Sequence, residues 1–218
     1  MIRAALFDLD GTLLDSNHVW AHVDELFFAA RKIDLPADYT RAISGMSFLA
    51  TAAYTRARFA LPETAEEIVR EWTEMTAREY AERVLLKPGS AAFLRALKSS
   101  GVLLAVVTSL HRALYEPCLA RHGILPLFEF CLSTDEAGGG SKKDGHLYRM
   151  AADRLQVPYP RCAVFEDVHE GILGAKSLGM RAFCVVDPKY THHLDAIQKI
   201  ADGVGGNVRE AWENAGEM

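Results

Sequence analysis

Short apolar runs alternate with segments of helical length along this chain, and few folds accommodate that alternation. Residues 4–7, 102–107 and 162–165 read as buried strands; 181–186 resembles them, and 128–132 is a weaker fifth. Between them the pattern predicts helices over 90–99, 112–121, 147–155 and 170–178. Parallel strands need a crossover, and crossover helices cover both faces of the sheet. The expected fold class is therefore α/β, an open Rossmann-like parallel sheet flanked by helices.

One stretch breaks the rhythm. From Ser16 to Arg83 the chain shows helical periodicity and no convincing strand. Ala50, Ala53, Tyr54 and Ala57 fall at helical spacing, and Pro62-Glu63-Thr64-Ala65-Glu66-Glu67 supplies an acidic first turn for a helix through Trp72 toward Tyr80. Lys87-Pro88-Gly89 marks the return to the α/β pattern. The expected division is a core of residues 1–15 and 88–218 with a small α-helical cap domain, 16–87, inserted after the first strand. A cap over the strand ends accounts for the insertion; a lone structural bundle leaves the interruption of the sheet unexplained. The length of 218 residues suits one domain plus such an insertion.

Composition narrows the partners. The formal charge of −5 arises from 29 acidic against 24 basic residues, without the basic stripe that a phosphate-backbone binder needs, so nucleic acid is not expected. Cys118, Cys131, Cys162 and Cys184 are widely spaced in mainly apolar contexts and form no zinc-ligand set, which predicts reduced, buried thiols. Acidic residues begin at Asp8, too early for a signal peptide, and no apolar run nears the roughly 20 residues of a membrane span. The expectation is a cytoplasmic monomer with no membrane partner.

The densest chemistry follows the first apolar run: Phe7-Asp8-Leu9-Asp10-Gly11-Thr12-Leu13-Leu14-Asp15-Ser16. Two carboxylates at the end of a buried strand are costly unless something pairs with them. In an open α/β sheet, ligands bind outside the carboxyl ends of the strands. A bare Asp-x-Asp-Gly is equally compatible with an ordinary turn. The longer string resembles the first motif of the haloacid dehalogenase superfamily of phosphotransferases, D-x-D-G-T-L-x-D-S. That resemblance implies that Asp8 attacks phosphorus and becomes an aspartyl phosphate, with Asp10 as general acid and base. Both carboxyls can serve one centre only if the chain curls after the strand, which Gly11 makes inexpensive.

Carboxylate attack on an anionic phosphoryl group meets repulsion unless a hard cation spans both, so the resemblance also implies one Mg2+. Its ligands would be the Asp8 side chain, the Asp10 backbone carbonyl and a carboxylate from a later strand end. Val164-Phe165-Glu166-Asp167-Val168-His169-Glu170-Gly171-Ile172, followed by Gly174-Ala175-Lys176-Ser177-Leu178-Gly179-Met180, is similar to the family's fourth motif, F-E-D-S, then G-x-x-A, then A-G-M. The similarity makes Asp167 the ligand, with Glu166 in or beside the coordination sphere; Val168 replaces the usual Ser.

Leu104-Ala105-Val106-Val107-Thr108-Ser109 is a strand ending in hydroxyls. The resemblance has Thr108 holding the transferring phosphoryl group, with Ser109 as a further donor. A Thr-Ser pair also reads as a helix cap, and both can hold, because helix N-termini bind anions. Gly138-Gly139-Gly140-Ser141-Lys142-Lys143-Asp144-Gly145-His146-Leu147-Tyr148 loosely resembles the family segment G-K-P-x-P-D-I-[FY]. Aligned on Tyr148, Lys142 takes the place of the lysine that neutralises nucleophile and phosphate, with Lys143 one register away.

The resemblance runs over nearly the whole chain, to the subgroup whose cap is a small helical bundle. It implies hydrolysis of a small phosphorylated metabolite, a sugar phosphate or similar. A phosphomutase of the beta-phosphoglucomutase type would use the same two aspartates, and a non-catalytic phosphate-binding protein is the alternative of another kind. Asp10 argues against a dehalogenase, and Lys32, the lysine within 16–83, reads as a solvated residue rather than a Schiff base. Gly45-Met46-Ser47 reads as a substrate loop, and Arg41, Arg56 and Arg58 as candidates for a second anionic group. His18 and His22 lie four apart without a third metal ligand.

Overall fold

The structure is a computed structural model describing residues 1–43, 46, 48–137, 142–187 and 194–215. Two compact units result, one from Met1–Ser16 with Val84–Met218, the other from Asn17–Arg83. The junctions fall at 16/17 and 83/84, where the sequence suggested 15/16 and 87/88. In chain order the elements are β1 (Ala4–Phe7), β2 (Leu14–Asp15), α1 (Val19–Ala30), α2 (Tyr39–Ile43), α3 (Phe48–Phe59), α4 (Ala65–Glu82) and β3 (Leu85–Leu86). They continue with α5 (Ser90–Ser99), β4 (Leu103–Thr108), α6 (Arg112–Arg121), β5 (Phe130–Ser133), α7 (His146–Leu155), β6 (Cys162–Glu166) and α8 (His169–Ser177). The last are β7 (Arg181–Val185), α9 (Leu194–Gln198), β8 (Gly203–Gly205) and α10 (Val208–Glu213).

The larger unit is an α/β fold with a parallel sheet ordered β5-β4-β1-β6-β7-β8. From β1 the chain builds outward through β4 and β5, then returns to β1's other side with β6. The strand order therefore reverses at β1, the place where open α/β sheets bind ligands. Alternation along the strands divides the core into two faces. Phe7, Phe165 and Phe183 are register partners on successive strands and stack at 4.6 and 5.0 Å, with Trp212 of α10 5.0 Å from Phe183. The other face pools Leu6, Val164 and Ala182 with Tyr148 and Ile172 from α7 and α8.

β8 and its flanking helices α9 and α10 are not in the sequence reading. Gly203-Val204-Gly205 lacks the β-branched run that signals a strand, and its glycines answer to packing instead. A Cβ at Gly203 would meet Ala211's oxygen at 2.1 Å, and one at Gly205 would meet Ala211's nitrogen at 2.4 Å. Only glycine lets α10 lie this close. The short antiparallel ribbon of β2 with β3 was also not anticipated.

The smaller unit packs α1, α3 and α4 around rings: Phe27 on Trp72 at 5.3 Å, Phe28 on Tyr39 at 4.9 Å and on Phe59 at 4.8 Å. Thr64 starts α4 with a capping box in which Glu67 returns the hydrogen bond. Arg31 lies 3.7 Å over Phe27 and binds Glu63 at 2.7 Å and Glu71 at 2.6 Å. α3 forms where the alanine spacing placed a helix, but it buries Thr51, Ala52 and Thr55 while Ala50, Ala53 and Ala57 face water. The polar threonines are satisfied inside: Tyr39 donates to Thr55 Oγ1 at 2.6 Å, and Thr55 donates to the Thr51 carbonyl at 2.7 Å. Among the described residues no helix is long and apolar enough to cross a membrane.

Candidate active site

Asp8 leaves the end of β1 with its N–H bonded to the Phe165 carbonyl of β6 at 3.0 Å, so β1 and β6 present their C-terminal residues together. The chain then curls. The Leu9 carbonyl accepts from the N–H groups of Thr12, Leu13 and Leu14 at 3.2, 3.0 and 2.8 Å, and Gly11 takes φ +72°. This curl brings Ser16 back to Asp10, whose Oδ1 accepts the serine hydroxyl at 2.6 Å.

Lys142 is the cation of the site. Its ammonium binds Asp8 Oδ1 and, at 2.7 Å, Glu166 Oε1. Lys143 is exposed. Tyr148 donates its hydroxyl to the same Glu166 oxygen at 2.7 Å, and the N–H groups of Asp167 and Val168 reach Glu166 Oε2 at 3.0 and 3.2 Å. Fully buried Glu166 thus meets four donors, about the capacity of a carboxylate. Carboxylate oxygens of Asp8, Glu166 and Asp167 lie within 4.8 Å of one another.

The electrostatics follow from three carboxylates facing one ammonium. Burial raises the Asp8 pKa, Lys142 opposes this, and Glu166 and Asp10 push it further up. Asp167 is raised by burial first, then by Asp8 and Glu166. For Lys142, burial alone would pull the pKa down, but Asp8 and Glu166 outweigh it and the ammonium keeps its proton. The cluster carries unmet negative charge on hard oxygens. The carboxylate oxygens of Asp8, Glu166 and Asp167 are a donor set of the kind that suits a divalent cation such as magnesium.

Two glycines of α8 make the cluster possible. A Cβ at Gly171 would sit 2.5 Å from the Glu166 carboxyl carbon, and one at Gly174 would sit 1.8 Å from the Lys142 carbonyl oxygen. Gly174 stands where the family form G-x-x-A has Ala. The Lys142 turn also departs from the family form, replacing its prolines with Lys143 and Gly145, and Gly145 adopts φ +74°. The turn rests its backbone directly on α8, and Gly174 gives it room.

On the other side of β1, Thr108 ends β4 and is buried. Its hydroxyl accepts the Leu110 N–H at 3.0 Å, while Ser109 is exposed beside it. Neither caps α6; the N-cap is His111, whose Nδ1 accepts from Ala113 at 3.2 Å. The Thr-Ser pair shapes a turn before the helix instead.

The remaining candidates lie in the helical unit or elsewhere. Gly45 falls outside the described residues. Arg58 is bonded to Asp38 at 2.8 Å and to the Tyr54 hydroxyl at 2.9 Å, while Arg41 and Arg56 are exposed. His18 precedes α1, and His22 lies 3.5 Å from Glu25 and 4.0 Å from Glu79. The cysteines are free thiols; Cys118, Cys162 and Cys184 are buried and Cys131 is partly so. Sequence reasoning used Tyr148 only to align the lysine segment, read Ser16 as the end of the first motif rather than as a partner of Asp10, and gave Gly174 no task. The aromatic of the family's third motif was the one available hint for Tyr148.

Residues 2–179 match the sequence profile of the haloacid dehalogenase-like hydrolases, and the chain belongs to that family. It is 32% identical over 221 residues to validoxylamine A 7'-phosphate phosphatase of Streptomyces hygroscopicus subsp. limoneus, covering 99% of both chains. It is 28% identical to hexitol phosphatase A of Escherichia coli, covering 91% of this chain and 89% of that one. The crystal structure of CbbY from Rhodobacter sphaeroides in complex with phosphate superposes with a TM-score of 0.73 at 26% identity, covering 95% of each chain.

Proposed function

We propose that the chain is a magnesium-dependent phosphomonoester hydrolase for small phosphorylated metabolites, sugar phosphates or similar, working through an aspartyl phosphate on Asp8. The observation that carries this reading is the buried cluster at the reversal of the sheet, where Lys142 binds Asp8 and Glu166 with Asp167 alongside. Asp8 attacks phosphorus, and Lys142 offsets the charge of nucleophile and phosphate. Thr108 already accepts from Leu110, so its hydroxyl hydrogen is available to a phosphoryl oxygen. Asp10, oriented by Ser16, protonates the leaving oxygen and later takes a proton from water.

The Asp8 and Asp167 side chains and the Asp10 carbonyl would hold Mg2+. When bound, it supplies the positive charge that lets a phosphate approach a carboxylate. Glu166, with four donors of its own, holds Lys142 and the 167–168 turn in place. The helical unit is read as the cap that selects the leaving group. Relatives named as phosphatases favour water over sugar as the acceptor.

The test is release of inorganic phosphate from a panel of sugar phosphates and small phosphomonoesters. Release should stop with a chelator and in Asp8→Asn. Isomerised sugar phosphate without free phosphate would replace the hydrolase by a mutase.

A further inference from the structure

β2 and β3 form a ribbon of two residues on each side, Leu14 opposite Leu86 and Asp15 opposite Leu85. It continues the curl that carries Asp10, and Ser16, the residue after β2, donates to the Asp10 carboxylate at 2.6 Å. A two-stranded ribbon alone is marginally stable in water, so its place depends on what fastens it. On the β2 side Leu13 and Leu14 are fully buried. On the β3 side Leu85 is 61% exposed and Leu86 is only partly shielded.

Lys87 follows β3 and supplies what those leucines do not. Its N–H donates to the Leu13 carbonyl at 2.8 Å, extending the ribbon by one bond. Its side chain is 7% exposed, and the ammonium lies 3.9 Å from the carboxylate of Asp187, itself 14% exposed, two residues past the end of β7. Lysine is almost never buried this far unless paired, and removing one partner of a shielded pair leaves the other charge uncompensated. Lys87 therefore grips the curl with its backbone and the end of β7 with its side chain. All of these residues belong to the α/β unit. In the sequence, Lys87-Pro88-Gly89 reads only as the return to the α/β pattern, and the reaction outlined above gives the lysine no task.

We infer that Lys87 is a positioning residue for the acid–base step: paired with Asp187, it ties the Leu13–Ser16 segment to β7 and so keeps the Ser16 hydroxyl on Asp10. The inference rests on the phosphatase reading above and adds what holds its general acid in place. Because Lys87 acts through Ser16 and Asp10, its loss shows where the leaving oxygen needs a proton. An alkoxide departs only with one, whereas a nitrophenolate departs without.

Lys87→Met and Asp187→Asn test this on two kinds of ester. kcat/KM reports the steps through departure of the leaving group. It should fall about tenfold for an alkyl phosphate, part of what a placed general acid contributes, and less than about twofold for p-nitrophenyl phosphate. Lys87→Arg keeps the cation and should stay near the parent on both. Asp187→Asn, nearly isosteric, carries the test if Lys87→Met does not fold. Equal losses on the two esters, or none, overturn the inference, because a merely structural or long-range charge effect does not distinguish leaving groups.

Amide exchange without substrate decides the fastening separately. In Asp187→Asn the amides of Lys87 and Gly11, which donate to the Leu13 and Leu14 carbonyls, should exchange faster while that of Phe183 on β7 is unchanged. If no phosphomonoester is hydrolysed, the phosphatase reading fails and this measurement alone decides whether the pair holds the ribbon. Unchanged exchange at Lys87 and Gly11 overturns the inference whatever the esters show.

Discussion

Four donors converge on Glu166, and the contacts come from three places in the sequence: Lys142, Tyr148 and its own following turn. Removing the Tyr148 hydroxyl leaves Lys142, among the described residues, as the sole donor to Oε1 and loosens the ammonium that faces Asp8. Tyr148→Phe should lower kcat by about tenfold with little change in KM, one lost hydrogen bond to a charged group being about 1.5 kcal/mol. Steady-state kinetics check it, and unaltered kcat would remove Tyr148 from the site. Gly174→Ala should be worse than its small size suggests, because the added methyl meets the Lys142 backbone rather than a flexible side chain. Asp8, Asp10 and Asp167 were legible as letters of a motif. The tasks of Tyr148 and Gly174 were not, because they lie in contacts 18 and 32 positions from their partners, Glu166 and Lys142.

Asp24 carries a cost that can be measured. Its folded pKa, about 6, lies above its ordinary 3.8. Below both values the carboxyl is protonated folded or unfolded and changes nothing; above about 6 it is ionised in both, and the folded state alone bears the lost solvation. Two pKa units are about 3 kcal/mol at most, and screening at a partly exposed carboxylate reduces this to about 1 kcal/mol. Asp24→Asn should therefore stabilise the protein at pH 8 and lose that advantage as pH falls through 6 toward 4. Urea unfolding at the two pH values checks this; equal stability at pH 8 contradicts it.

At the scale of elements, the aromatic ladder Phe7, Phe165 and Phe183 ties β1, β6 and β7 into the register that sets Asp8 beside Glu166. Phe165→Ala should cost about 3 to 5 kcal/mol by leaving a cavity in that stack. A loss under 1 kcal/mol in denaturant unfolding would show that the ladder is not what fixes the strands. Four of the central helices and five strands were readable because their apolar residues recur at the period of their own structure. α3 was readable as a helix but not by face, since threonines paired within the core can replace alanines as the buried residues. β8 was unreadable because its glycines exist to admit α10, a tertiary requirement with no local signature.

For the whole molecule, the chain divides into an α/β unit and a helical unit. The α/β unit brings Lys142 to Asp8 and Glu166 with Asp167 alongside, and Asp24 of the helical unit sits among aromatic rings. The charge of the cluster connects ligand and stability. Divalent cation at about 100 times its Kd should stabilise the protein by about 2.7 kcal/mol, and a thermal scan should show a rise of several degrees. Asp167→Asn should unfold at higher temperature than the parent without metal, having lost one repelling carboxylate, and should gain little from magnesium. An equal magnesium shift in both proteins would place the cation elsewhere.

The central claim is that Asp8 takes up the phosphoryl group. A single turnover with magnesium and a hydrolysed phosphomonoester, quenched in acid and mapped by peptide mass spectrometry, tests it directly. The account predicts one phosphoryl group on Asp8 and none in Asp8→Asn, which should also fail to release phosphate. Full turnover by Asp8→Asn, or a phosphoryl group mapped to any other residue, would contradict it.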